Sequence, residues 1–163
     1  MASNQPTQAI NVVKSDTINI PEPDAYITGA NSGSGTTLTT AGAKFLGTFN
    51  AANTGYANRV SVGDVVYEGT TMVTIVSVDS DTQLTVSAAL TGGGATYEIY
   101  RSNKANSEGF SLFVGGAGNI AVVPVSSDQT VIMTNVPDSS FIPLQVKRVN
   151  SANTTATNII ALR

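Results

Sequence analysis

The chain has 163 residues, with 8 basic against 11 acidic side chains, a net charge of −3, and no Cys, His or Trp. That composition excludes a thiolate nucleophile, a disulfide, a Cys/His zinc site, a His or Cys haem ligand and any catalysis routed through histidine. Only 12% of the residues are charged, against about 25% in an average domain, and Ser, Thr and Asn carry the polarity instead. So few Lys and Arg argue against nucleic acid as a partner.

The length suits one domain or two very small ones, with a core deep enough to need no staples. Residues Met1–Thr7 are polar and lack both the basic and the apolar segments of a secretory signal. The longest apolar runs fall far short of the ~20 residues that cross a bilayer. The expectation is a soluble, non-secreted chain with no membrane partner.

In chain order, Ile10–Lys14 and Thr17–Ile20 read as a first strand pair, closed by Pro21-Glu22-Pro23, which forces an extended exit. Ala25–Thr28 is a further strand. The Gly/Ser/Thr-rich stretch Gly29–Thr37 reads as a flexible loop, since it lacks the Lys of a phosphate loop and the spacing of a nucleophile elbow. Ala41–Ala52 is the one segment of helical composition. Its two glycines cost about 1 kcal/mol each relative to Ala, which limits it to one or two turns.

Asp64–Glu68 is a short strand. Thr71–Val78 and Thr82–Ser87 alternate apolar with small polar residues, and Asp79-Ser80-Asp81 between them is turn chemistry, so the two form a hairpin. The same triplet resembles the start of a calcium loop, but Leu84 and Leu90 stand where that loop needs Gly and Glu. Thr96–Arg101 follows as a strand, and Ser102–Glu108 as a polar connector. Phe110–Val114, Ile120–Val125, Thr130–Thr134, Leu144–Val149 and Thr157–Leu162 complete the strand set.

Gly116-Ala117-Gly118, with Ala121 and Asp138, matches a loose dinucleotide fingerprint. That site needs a helix immediately after the glycines, and the β-branched, proline-containing Ile120–Val125 cannot supply one. The glycines read as a turn joining two antiparallel strands. Asn153-Thr154-Thr155 is a glycosylation sequon only by chance in a non-secreted chain.

Short, β-branched strands separated by Gly, Pro, Asn and Asp predict an all-β chain of small sandwich or barrel type. The composition shifts divide it into residues 1–25 plus 108–163, one β domain, and 26–107, an inserted small β-barrel-like module. No enzyme, cofactor or metal site is expected. Glu22, Asp24, Asp64, Glu68, Glu98 and Glu108 are scattered, and sugar-active sites usually stack substrate on aromatics, which are 6% here. Lys147 and Arg148, with Arg163 and Lys104, are candidates for a small basic patch that pairs with acidic groups of a neighbouring subunit. On an exposed strand such residues more often blunt an edge.

The last third carries a more specific signal. Phe113-Val-Gly-Gly-Ala-Gly-Asn-Ile-Ala-Val-Val123, Thr130–Pro137, Phe141-Ile-Pro-Leu-Gln-Val-Lys-Arg-Val149 and Thr154-Thr-Ala-Thr-Asn-Ile-Ile-Ala-Leu162 occur in that order. They resemble the C-terminal half of the head spike-base proteins of tailed phages and gene transfer agents. Val13-Lys-Ser-Asp-Thr-Ile-Asn-Ile-Pro21 is similar to the opening strand of that family. Together the resemblance covers residues 9–25 and 110–163. Residues 26–107 depart from it, because minimal members run almost directly between the two segments. Val62–Tyr67 and Val76–Ser87 of the insert resemble a β module of other phage virion proteins.

The resemblance implies a structural virion protein on the outer capsid surface, made in the host cytoplasm. It would act there as a decoration (cement) protein or as a head spike base. The implied partners are the major capsid protein, further copies of the chain in a trimer or pentamer, and a spike or fibre protein. A tail-fibre, baseplate or receptor/carbohydrate-binding component is the alternative. Phe110, Phe113, Phe141, Ile142 and Leu144 are the candidate interface anchors, with Lys147, Arg148 and Arg163 beside them. Taken singly, such apolar residues more often fill the domain's own core.

Overall fold

The computed structural model describes residues 5–50, 55–102 and 109–163. The chain is all-β, and no helix occurs among the described residues. Among the described residues fourteen strands follow in order: β1 (Ala9–Asn11), β2 (Ala25–Asn31), β3 (Gly35–Thr39), β4 (Thr48–Asn50), β5 (Gly55–Ala57), β6 (Val65–Glu68) and β7 (Thr71–Val78). After them come β8 (Gln83–Leu90), β9 (Ala95–Tyr100), β10 (Phe110–Gly116), β11 (Gly118–Pro124), β12 (Val131–Val136), β13 (Ser140–Val149) and β14 (Thr157–Leu162). The chain divides into two compact units, Met1–Pro23 with Asn103–Arg163, and Asp24–Ser102. Ala25 pairs with Tyr100 and so begins the second unit's sheet rather than ending the first domain.

The first unit is one curled antiparallel sheet in the order β1-β14-β10-β13-β11-β12. Alternation along the strands sorts its two faces. Ile10, Ala161, Leu112 and Ile142 are successive cross-strand partners and all are buried. One residue further along, Asn11, Ile160, Phe113 and Phe141 form the neighbouring row on the opposite face. Val146 pairs with Phe110 on one side and Pro124 on the other, so β13 lies between the two arms of a bent chain path. Because β10 and β11 are both antiparallel to β13, Gly116-Ala117-Gly118 is a bend in that path and not the expected hairpin turn. A Cβ on Gly118 would lie 2.5 Å from the Ala156 nitrogen, at a φ of +154°. Only glycine allows that approach.

Pro143 sits inside β13, where it has no N–H for the ladder. The register between β10 and β13 shifts at that place, from Leu112↔Ile142 to Phe110↔Val146. The expected strand Thr17–Ile20 does not form. The Ser15 hydroxyl oxygen accepts from the Thr17 and Ile18 amides at 3.3 and 3.0 Å, which turns the chain instead.

The second unit is a six-stranded antiparallel sheet, β2-β9-β6-β7-β8-β3, with β4 and β5 as a separate pair. Val73 and Ile75, Leu84 and Val86, and Tyr97 and Ile99 alternate inward from three strands around Leu38, Phe45 and Val66. The sheet curls until its end strands meet, with the Ser32 amide donating to the Thr39 carbonyl at 2.8 Å. Most of the expected loop Gly29–Thr37 is therefore strand. Gly29 is small because the Tyr97 phenol packs over it, where a Cβ would fall 2.7 Å from the hydroxyl. The expected helical segment is also absent. The Ala43 and Gly47 amides close four-residue turns on the Thr40 and Lys44 carbonyls, and Phe45 is drawn into the core. The end of that segment, residues 51 and 52, lies outside the described residues.

Candidate interaction surface

The structure separates the eight candidate interface residues. Phe110 and Ile142 are buried in the first unit's own core, a correction to their role as contact anchors that follows from their inward register. Phe113 is half-buried and faces the opposite way, directly across from Phe141, which is 54% exposed. Half-buried Ile160 flanks Phe113 on its other side. Ile160-Phe113-Phe141 is therefore a continuous apolar row across three strands on the outer face of a hydrogen-bonded sheet. Leu144 is 38% exposed in the stretch of β13 where the register shifts.

The basic residues do not gather into a patch, because each is held by a different partner. Lys147 donates to Asp128 at 2.7 Å, and that hydrogen bond, with the attraction between the charges, holds the Asp128 carboxyl below its usual range. The Arg148 Nε donates to the Asn150 side-chain oxygen at 3.0 Å, and a terminal nitrogen to that of Asn19 at 3.4 Å. Arg163 pairs with Glu22 and lies 5.4 Å from the centre of the Phe110 ring. Lys104 lies outside the described residues.

Sequence reasoning missed a second apolar surface. Val131 and Ile132 of β12 are 42% and 48% exposed, and β12 pairs with β11 alone. Adjacent strand residues point to opposite faces, so both faces of this strand carry exposed apolar side chains. The signal in the sequence was the unbroken Val-Ile-Met of residues 131–133, which has no polar alternation.

In the second unit the acidic residues serve as internal fasteners. Buried Asp64 accepts from the Tyr26 hydroxyl at 2.7 Å, the Ser61 amide at 2.9 Å, the Ser102 amide at 3.1 Å and Arg101 at 3.2 Å. The Arg101 guanidinium also lies 3.8 Å from the Tyr26 ring centre. Burial first, and then the hydrogen bond to Asp64, raises the Tyr26 phenol well above its ordinary value. Buried Glu68 accepts from the Asn31 side-chain amide at 3.0 Å and from the Thr91 and Gly92 backbone amides. Glu98 accepts from the Tyr100 hydroxyl at 2.7 Å, and Glu22 pairs with Arg163. Glu108 lies outside the described residues.

No group of three or more acidic side chains suited to a metal ion occurs among the described residues. Shallow depressions occur among the described residues. One, of about 220 Å³, is lined by Val12, Lys14 and Ala156–Ile159, and another, of about 490 Å³, by Arg59–Val62, Ser77 and Val78.

Fold and surface together define an all-β protein of two sheet-built units, with exposed apolar groups on the outer face and one edge of the first and at Leu46, Val62 and Val76 of the second. No protein-family model, characterised protein or solved structure matches the chain.

Proposed function

We propose that the chain is a structural virion protein of a tailed phage that docks on the outer surface of the capsid, as a decoration protein or a head spike base. The observation that carries this reading is the outward row Ile160-Phe113-Phe141, a rigid apolar strip with no charged member. The resemblance of residues 9–25 and 110–163 to spike-base proteins supports it. A strip of this kind suits static contact, in which a central aromatic fills a pocket and small polar groups around it exclude water. The major capsid protein is the partner, and a spike or fibre protein is a second one for a spike base. A ligand that binds only the assembled shell stabilises it by mass action.

Cryo-electron microscopy of particles that contain the chain tests this reading. Density on the head, with Phe141 at the contact, is the expected result. Purified heads should bind the Phe141→Ser variant at least tenfold more weakly, since most of a Phe side chain's transfer energy of roughly 1.5–3 kcal/mol would be lost. Density confined to the tail tip would overturn the proposal.

A further inference from the structure

We infer that β12 is a self-pairing edge. Two copies of the chain join in solution through antiparallel β12–β12 contact across a two-fold axis, with Ile132 opposite its own copy.

β12 is the last strand of its sheet, so its outer side presents main-chain donors and acceptors with no neighbouring strand. Natural edges are usually short, covered, or blunted by charge or proline. β1, at the other end of the same sheet, is three residues long. In the second unit, β2 and β3 close on one another through Ser32 and Thr39, and through the Thr40 hydroxyl donating to the Ala30 carbonyl at 3.0 Å. β12 includes no charge and no proline in its six residues, Val-Ile-Met-Thr-Asn-Val, and it runs regularly over Val131–Met133 before a bulge at Thr134–Asn135, where Asn135 takes a φ of +54°.

Exposure on both faces of the strand decides the kind of partner. A body packing on one face of the sheet would cover either Val131 or Ile132. An added strand extends the sheet and covers part of both.

Charge and symmetry point to a second copy. Apposed about Ile132, Val131 faces Met133 of the other copy, and no charged residues meet within the paired stretch. The flanking carboxylates Asp128 and Asp138 each lie on the order of 25 Å or more from their own copies at ~3.4 Å per residue, but Asp128 of one copy falls two positions, ~7 Å along the strand, from Asp138 of the other. That is near the screening length of about 8 Å in physiological salt, and the hydrogen-bonded pairing of Asp128 with Lys147 at 2.7 Å offsets the charge it brings to that end. An antiparallel edge pair is also self-complementary by construction. The expected three- or five-fold ring would instead need a second, matching edge, and the one large apolar side chain of β1, Ile10, is buried. This inference holds or fails independently of where on a particle the chain acts.

The chain has no cysteine, so Ile132→Cys introduces a single thiol. Opposed residues in an antiparallel pair lie about 4.5–5.5 Å apart at Cα, within the span of a disulfide. Mild oxidation should link this variant into a dimer, while Val62→Cys, on an exposed site of the other unit, stays unlinked. Light scattering of the unaltered chain should give twice 16.7 kDa at high concentration. Ile132→Lys should raise the dissociation constant at least tenfold with the far-ultraviolet circular dichroism unchanged. If Ile132→Lys misfolds, Thr134→Lys on the same exposed edge serves in its place. A monomer at roughly 0.5 mM overturns the inference, since that corresponds to binding weaker than about −4 to −5 kcal/mol. So does a trimeric or pentameric mass, a dimer that the lysine variant leaves intact, or equal cross-linking of the two cysteine variants.

Discussion

Asn31→Ala should unfold the second unit far more readily than its size suggests. The Asn31 side chain is fully buried where the ends of β2 and β3 meet. Its oxygen accepts from the Gly33 amide at 2.9 Å and the Thr39 amide at 3.1 Å, and its amide donates to Glu68 at 3.0 Å. Substitution by Ala leaves two half-buried N–H groups and one buried carboxylate short of a partner. A hydrogen bond to a charged group is worth roughly 1.5–3 kcal/mol and a neutral one about 1, so the loss sums to about 3–5 kcal/mol. Against a total of about 5–15 kcal/mol for a domain, that is a large share.

The assay is selective by composition. All five tyrosines, Tyr26, Tyr56, Tyr67, Tyr97 and Tyr100, lie in the second unit, and there is no Trp, so tyrosine emission in a urea titration reports on that unit. With a slope of about 1–1.5 kcal/mol per molar urea, the midpoint should fall by about 3 M. Asn31→Asp should be no better, because it places a second carboxylate against Glu68. A fall below about 1 kcal/mol in Asn31→Ala would refute the view that this side chain closes the sheet.

Gly118→Ala should destabilise the first unit by roughly 2–4 kcal/mol, through its clash with the Ala156 backbone and its positive φ, read as a lowered midpoint by far-ultraviolet circular dichroism. Hydrogen bonds lower three carboxyls: Asp16 by Ser151 and Ala152, Asp79 by Ser77 and Thr85, and Asp128 by Lys147. Their contribution is present above the ordinary aspartate value of 3.8 and is lost as pH falls below it through the lowered values, so stability should be flat near neutrality and decline in that acid window. In an NMR titration, Ser77→Ala should move the Asp79 midpoint upward; an unchanged midpoint would remove the hydroxyl as its cause. Burial, and then hydrogen bonds to Asp64 and Glu98, raise the phenols of Tyr26 and Tyr100. The folded state holds those protons more tightly, so this contribution is complete below the ordinary value of 10 and is lost as pH rises above it. Phenolate absorbance from both should appear only with unfolding; ordinary titration near pH 10 in the folded chain would contradict the burial.

What was legible in the sequence was the local part. The β7–β8 hairpin and its Asp79–Asp81 turn are visible because alternation and turn chemistry agree within seventeen residues. β14 is also legible, as a β-branched run bounded by polar residues. Gly29–Thr37 misleads because its composition is that of a loop. Its strands are held by the Asn31 side chain and by a tyrosine sixty-eight residues away, and no local pattern encodes either. The segment beginning at Ala41 misleads for the converse reason: adequate helix propensity yields to the burial of Phe45. For the surface, aromatic identity alone selected Phe110, Phe113 and Phe141 together. Only register across β10, β13 and β14 separates the buried one from the outward pair.

The sparse charge acquires a physical meaning from where it sits. Asp64 and Glu68 are buried among donors, Lys147 is spent on Asp128, Arg163 on Glu22, and Asp16 and Asp79 accept from neighbouring hydroxyls and amides. These groups fasten turns and close sheets, and they leave the outer row of the first unit and the β12 edge without charge. Association through such surfaces depends on apolar burial and main-chain hydrogen bonds, neither of which is screened by salt. Long-range steering is correspondingly weak, so association should proceed at the ordinary 10⁵–10⁶ M⁻¹s⁻¹ rather than the electrostatically accelerated rates. The dimer constant should therefore change less than about threefold between 50 mM and 500 mM salt. A dependence of tenfold or more would place charged residues at the contact, and the geometry of β12 would then be the wrong explanation for it.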